Sequence, residues 1–149
     1  MAAPRKISGK LIVLEVNQGT ESSPQWQPFA CATANGFSGS TDTVETASKC
    51  DAEGYAQAEP GNKTWEFTQT AYGIREEDLE GDQVSYQTAA ELWKASEIRE
   101  FRMRSEDLSY VRRGTGLITN YDETADNNEY LTFDITITGT GEVFFEDAV

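Results

Sequence analysis

Carboxylates dominate the groups in this chain that could do chemistry, and their spacing decides which chemistry is open. Asp42 and Glu45, and the run Glu76, Glu77 and Asp78, are close enough in sequence to pass for the paired acids of a glycoside hydrolase. That reaction needs two carboxyl groups at a set separation across a cleft, and both sets lie in polar, loop-like stretches. The acids Asp122, Glu123, Asp126 and Glu129 could hold calcium, but they lack the D-x-[DN]-x-[DN]-G-x₅-E spacing of an EF-hand loop. The chain contains no histidine, which removes the commonest general base and the commonest transition-metal ligand. Gly114-Thr115-Gly116 and Gly139-Thr140-Gly141 continue neither into G-x-G-x-x-G before a helix nor into G-K-[ST], so both read as turns or bulges. Arg99, Arg102 and Arg104 with Arg112 and Arg113 suggest a phosphate site, yet Glu97, Glu100, Glu106 and Asp107 are interleaved among them. That pattern reads as ion pairs across strands or between subunits. No catalytic residue, metal site or cofactor is expected.

Composition narrows the field further. A chain of 149 residues is the size of one domain, 1–149, with enough core to fold without metals or disulfides. Hydrophobic residues at 38% and aromatics at 11% are too plentiful for disorder, and no apolar run approaches the roughly 20 residues of a membrane span. No membrane partner is expected. MAAPRKISGK is followed only by the short run Leu11 to Leu14, below the roughly 7 to 15 apolar residues of a signal peptide. Without export, Cys31 and Cys50 are expected as reduced thiols, and the acceptor pattern Asn62-Lys63-Thr64 has no use. A net charge of −14 disfavours tight nucleic-acid binding, because each phosphate contact needs a Lys or Arg. No Lys or Arg follows Arg113, whereas Asp122, Glu123, Asp126, Glu129, Asp134, Glu142, Glu146 and Asp147 all do.

The elements that must position these groups are mostly strands. Lys10 to Val16 is an apolar run that ends in the turn-rich Asn17 to Pro24, and Gln27 to Thr33 offers a second strand. Asn35-Gly36 fits a type I′ turn, which would pair Phe29–Thr33 with Phe37–Val44 as a hairpin. Ser38 to Asn62 is a long polar segment, with Pro60-Gly61 marking loop. From Lys63 to Tyr72, Trp65, Phe67, Gln69 and Ala71 alternate with Thr64, Glu66, Thr68 and Thr70, the period of a half-exposed strand. A helix is expected at about 85–95, where Ala89, Leu92 and Trp93 form a narrow apolar stripe. Ile98–Arg104 and Tyr110–Asn120 supply further strands. Leu131, Phe133, Ile135 and Ile137 then alternate with Thr132, Asp134, Thr136 and Thr138, and Gly139-Thr140-Gly141 turns that strand into Glu142–Glu146. Roughly seven or eight short strands with one helix imply a mainly β fold. The expected form is an antiparallel β-sandwich or partly closed barrel with one flanking α-helix and a long extended loop at about 38–62. Its core includes Trp65, Phe67, Leu131, Phe133, Ile135 and Ile137.

Two runs inside that loop carry a family signature. Thr41-Asp42-Thr43-Val44-Glu45-Thr46-Ala47-Ser48-Lys49-Cys50-Asp51 is similar to a T-D-T-I-E-T-T-S-K-D-like run, and Pro60-Gly61-Asn62-Lys63-Thr64-Trp65 to a P-G-x-K-x-W opening of a strand. Together with Lys6-Ile7-Ser8-Gly9-Lys10-Leu11 and Tyr130–Phe145, they make the chain resemble the major tail tube proteins of long-tailed phages. The resemblance implies a structural virion subunit, made in the host cytoplasm, that forms hexameric rings stacked into the tube through which the genome leaves. It implies homo-oligomeric contacts, tape measure and tail terminator or tip partners, and transient passage of double-stranded DNA without tight binding. Thr41, Asp42, Thr43, Glu45, Thr46, Ser48, Lys49, Asp51 and Glu59 are the expected loop contacts to a neighbouring subunit or ring, with Arg99, Arg102, Arg104, Arg112 and Arg113 engaged at interfaces. Thr132, Asp134 and Thr136 are the candidates to face the lumen. The same architecture would serve a contractile tail or an injection or secretion apparatus. From a different class, a carbohydrate-binding β-sandwich would use Trp26, Trp65 or Trp93 as its stacking face.

Overall fold

The computed structural model describes residues 6–20, 22–45, 58–79, 81 and 83–146. Among these residues seven strands are present: β1 (Ile12–Asn17), β2 (Trp26–Pro28), β3 (Ala32–Glu45), β4 (Ala58–Tyr72), β5 (Arg99–Ser105), β6 (Val111–Thr124) and β7 (Thr132–Phe145). One helix, α1 (Tyr86–Ala95), lies between β4 and β5. All seven strands join one antiparallel sheet in the order β2-β1-β5-β6-β7-β4-β3. The mainly β antiparallel fold with a flanking helix is as expected, and it takes the form of a single unclosed sheet that curls towards a barrel. β3, at one edge, comes back beside β1, where the Asn35 side-chain amide donates to the Ile12 carbonyl at 3.0 Å.

Curling buries one face of the sheet against itself. In β4, Trp65, Phe67, Gln69 and Ala71 are buried, with Gln69 as the polar member, and in β7 Phe133, Ile135 and Ile137 are at most 1% exposed. Leu14, Val16, Phe101, Met103 and Ile118 complete the interior from β1, β5 and β6. Leu131 precedes β7 and is only half-buried; its side chain fills the space beside Gly73, where a Cβ would lie 2.8 Å from Leu131 Cδ2. The helix is capped by Ser85, whose Oγ accepts from the Thr88 amide at 3.2 Å. It buries Ala89 and Leu92, while Trp93 is 46% exposed and lies off the buried stripe. Tyr121 ties β6 to the helix: its hydroxyl lies 2.6 Å from Glu123 Oε1 and 3.2 Å from the Tyr86 carbonyl. Burial first, and then the Glu123 carboxylate, push the Tyr121 pKa up, so it stays a neutral donor.

Three features read from sequence take another form. Asn35-Gly36 makes no turn but sits inside β3 opposite Gln69 and Thr68. Glycine fits there because a Cβ on Gly36 would meet Thr68 Oγ1 at 2.7 Å. Gly139-Thr140-Gly141 does not reverse the chain either; β7 runs through it to Phe145. The segment 38–62 is largely ladder, with β3 and β4 paired out to Glu45 opposite Ala58 and Pro60 opposite Thr43. Pro60 and Gly61 are accommodated by a register shift between Thr41 and Thr43. Every residue from 38 to 45 and from 58 to 64 is exposed, so this arm has no apolar face to mark it as strand. Thr46, Ser48, Lys49 and Asp51 lie outside the described residues.

The core makes a direct prediction. Phe133→Ala and Trp65→Ala should each cost about 3–5 kcal/mol of stability, measured by chemical denaturation of the monomer. A midpoint unchanged by either substitution would mean that these side chains are not in the interior.

Candidate assembly surfaces

The face of the sheet turned away from the core is divided in two by composition. Across β1, β5 and the first half of β6 it carries an ion-pair network centred on Glu15, which is 3% exposed. Arg102 donates to Glu15 Oε1 through Nη2 at 2.8 Å and Nε at 3.1 Å. Arg104 donates to the same oxygen at 2.7 Å and to Oε2 at 3.3 Å. Arg102 also lies under the Trp26 ring, 4.4 Å from its centroid. One strand over, Arg113 bridges Glu100 at 3.0 Å and Glu146. The Glu146 hydrogen bond, ahead of the Glu100 contact, raises the Arg113 pKa and keeps it a cation. Arg99 donates to Glu97 at 2.8 Å. Arg112 donates to the Val111 carbonyl at 2.9 Å and lies between the Tyr110 and Phe145 rings, 4.4 Å from each centroid. All five arginines singled out from sequence are thus engaged within their own chain. Register is what brings acid to base: Glu15 stands opposite Arg102, with Arg104 two residues along the same strand, and Arg113 reaches diagonally from its place opposite Arg102 to Glu100.

The other half of that face, across the second half of β6, β7, β4 and the body of β3, has a different chemistry. Register rows run Asp122–Asp134–Thr70, Asn120–Thr136–Thr68, Leu117–Thr138–Glu66–Ser38 and Thr124–Thr132–Tyr72. Thr70 Oγ1 donates to Asp134 Oδ1 at 2.6 Å, Thr119 and Thr138 hydroxyls share a hydrogen at 2.8 Å, and Asn120 donates to Asp122 at 2.9 Å. Thr132, Asp134 and Thr136 fall together here, and Asp134 is exposed. None of the residues in these rows is Lys or Arg, and the three charged ones, Glu66, Asp122 and Asp134, are acids. Hydroxyl side chains suit this layer because β-branched threonine favours the strand while its oxygen satisfies its neighbours.

The third surface is the arm formed by the outer parts of β3 and β4. It brings Thr41, Asp42, Thr43 and Glu45 beside Glu59 at its exposed end. The remaining sequence candidates are dispersed. Asp42 and Glu45 stand on this arm, both exposed. Glu77 and Asp78 are exposed within the 3-10 turn Glu76–Asp78. Among the described residues no group of three or more His, Cys, Asp and Glu is placed to hold a metal ion. The tryptophans do not gather into a platform: Trp26 is stacked on Arg102, Trp65 is buried with Nε1 donating to the Gly141 carbonyl at 2.9 Å, and Trp93 lies on the helix. Sequence reasoning missed Glu15 as the hub of the arginines; the signal was a lone acid in the middle of the apolar run 11–16. It also missed that the two Gly-Thr-Gly runs face one another, Gly116 opposite Gly139 and Thr115 opposite Thr140.

The chain matches the family described as phage tail tube protein over residues 6–145. No curated protein matches it. Among solved structures it is similar to a chain of the tail of an empty gene transfer agent particle, refined with C6 symmetry. That chain gives a TM-score of 0.75 at 18% identity, covering 94% of this chain and 98% of the other. It is also similar to the SPP1 tail tube, with a TM-score of 0.71 at 15% identity, covering 97% and 81%. The six-fold symmetrised baseplate of the anti-feeding prophage contains a similar chain, with a TM-score of 0.66 at 8% identity, covering 99% and 98%.

Two predictions come from these groups. Glu15→Ala should cost about 3–5 kcal/mol, because it strands two arginines against a buried site; a denaturation midpoint like that of the parent would contradict this. Asp107, in the turn between β5 and β6, accepts from Ser109 Oγ at 2.7 Å, Ser109 N at 3.0 Å and Ser105 Oγ at 2.8 Å. These bonds hold its pKa at about 2, below the ordinary 3.8. Because the folded value is the lower one, the turn's contribution is complete above pH 3.8 and is lost as pH falls through about 2. An NMR titration of the Asp107 carboxyl should have its midpoint near 2, and a midpoint near 3.8 would mean the turn is open.

Proposed function

This chain belongs to the phage tail tube protein family, and on that premise we propose that it forms hexameric rings stacked into a hollow tube whose lumen is lined by the Thr- and acid-bearing half of its sheet. The observation that carries the lumen assignment is the chemistry of that half: rows of hydroxyls with Glu66, Asp122 and Asp134 and no Lys or Arg among them. Double-stranded DNA releases its condensed counterions into solution where a basic wall neutralises its phosphates, and adheres to that wall more strongly with each phosphate neutralised. A wall of hydroxyls and carboxylates lets the duplex pass without a grip. The arginines reinforce this reading, because each is held by an acid, a carbonyl or a ring of its own subunit.

The sheet also offers the means of assembly. β3 is an edge strand of 14 residues, and a long free edge is a template for pairing with another chain. Beyond the body of the sheet, the arm presents Thr41, Asp42, Thr43, Glu45 and Glu59 to a neighbouring subunit or ring, with Thr46, Ser48, Lys49 and Asp51 continuing its sequence. The C6 and six-fold symmetries of the similar assemblies support the hexamer. In this reading the subunit is made in the host cytoplasm and resides in the virion tail. There it meets the tape measure and the terminator or tip proteins, and it performs no catalysis. The likeness to the anti-feeding prophage baseplate chain favours one alternative, the tube of an injection apparatus, which a surrounding contractile sheath would reveal.

Two experiments test the proposal. Deleting Thr41 to Glu59 should leave a folded monomer, since the arm lies off the core, and should abolish tubes in negative-stain electron microscopy; tubes at the parental concentration would remove the arm from assembly. Asp122→Lys and Asp134→Lys in assembled particles should preserve tubes and slow DNA ejection, most at low salt where screening is weakest. Ejection rates equal to those of the parent would place this face elsewhere.

A further inference from the structure

β4 and β7 are paired from Tyr72 opposite Thr132 to Glu66 opposite Thr138 and no further, although β4 extends outward to Ala58 and β7 to Phe145. The next pair in this register is Trp65 and Gly139, and there the ladder gives way to an aromatic wedge. A Cβ on Gly139 would fall inside the indole, nearest Cε2, and one on Gly114 would lie 2.5 Å from Cη2. The indole therefore lies flat on two bare stretches of backbone, one in β7 and one in β6.

Its nitrogen is anchored as well. Between Arg113–Phe144 and Thr115–Thr140 the β6–β7 register jumps, so Gly141, Glu142 and Val143 bulge out, with Gly141 at φ 81°. Trp65 Nε1–H donates to the Gly141 carbonyl that this bulge turns inward, at 2.9 Å. Phe37 of β3 braces the wedge from the other side, its ring 6.5 Å from Trp65, 5.5 Å from Phe67 and 5.9 Å from Phe145. Past this point β3 and β4 leave the sheet as the arm. A notch of about 420 Å³ opens between them and the end of β7, lined among others by Phe37, Thr41, Lys63, Trp65, Val143 and Phe145.

We propose that Trp65 is the positioning residue of the arm: its ring, seated on Gly114 and Gly139, stops the β4–β7 ladder, and its N–H, tied to the β7 bulge, fixes the direction in which β3 and β4 depart. Where the arm then reaches a neighbouring subunit rests on the tube reading above; its direction in the single chain does not.

Spin labels at Thr43→Cys on the arm and Glu106→Cys on the β5–β6 turn, in a Cys31→Ser, Cys50→Ser background, report that direction as a distance distribution. The parent should give one narrow distance. Trp65→Phe keeps a ring over the glycines and removes the N–H. It should raise the population of displaced arm distances about fivefold, the factor one ordinary hydrogen bond carries, with the monomer still folded by circular dichroism. Gly139→Ala, which pushes the indole off its seat, should move the distribution too. Phe133→Leu, a core change whose ring neighbours are Tyr86 and Tyr121 rather than Trp65, should lower the melting temperature and keep the parental distance. Identical distributions for Trp65→Phe and the parent would overturn the proposal, as would equal broadening by Phe133→Leu. Failure of the unlabelled parent to form tubes would overturn the tube reading, while the monomer distances would still decide the role of Trp65.

Discussion

Among the described residues, seven strands in one layer have two faces and a single ten-residue helix to cover them, so the apolar face leaves water by curling on itself. That constraint sets everything else. Phe67, Phe101, Phe133, Ile135 and Ile137 meet across the curl, and removing such surface from water is the main favourable term in folding. The helix is left with a supporting part, closing over the sheet through Ala89, Leu92 and the Tyr86–Tyr121 contact. The opposite face is left without an apolar cover as a consequence, and beyond the buried Glu15 and the two arginines that hold it, its composition is free to serve something other than stability.

How that free face is used follows from where charge is neutralised. The arginine-bearing half is a closed account of cations and carboxylates inside one subunit. The hydroxyl-bearing half satisfies its donors among Thr, Asn and Asp and keeps its carboxylates without cationic partners among the register rows. A sheet that separates the two this sharply can present a duplex with a surface that neither binds it nor loses its own order. In an assembly the net charge of −14 also acts between subunits, so tube formation should depend on screening as well as on shape.

Legibility in the sequence tracked burial. β7 and the inner part of β4 were plain because one face is core and the other is water, which writes a period of two into the residues. The helix was visible through the apolar stripe of Ala89 and Leu92, although Trp93 was drawn into that stripe and does not join it. Of the arm, Phe37–Val44 was read as strand but given the wrong partner, and 58–62 was read as loop, since the arm has water on both sides and nothing to alternate. Glycine misled twice. Asn35-Gly36 and Gly139-Thr140-Gly141 carry the composition of turns, but Gly36 makes room for Thr68 and Gly139 for the Trp65 ring, and contacts over such sequence distances leave no local mark. The buried carboxylate of Glu15 was hidden for the same reason, because Arg102 and Arg104 approach it from β5. The family resemblance, carried by the arm's own residues, reached the function where periodicity could not.

The account turns on which way the sheet faces in the assembled tube. A helical reconstruction of tubes grown from this chain, at a resolution that traces side chains, decides it. The account predicts that Glu66, Asp122 and Asp134 line the lumen among threonines, with Glu15, Arg102, Arg104 and Arg113 away from it. A lumen lined by the arginine network, or by unpaired lysines and arginines, would contradict it.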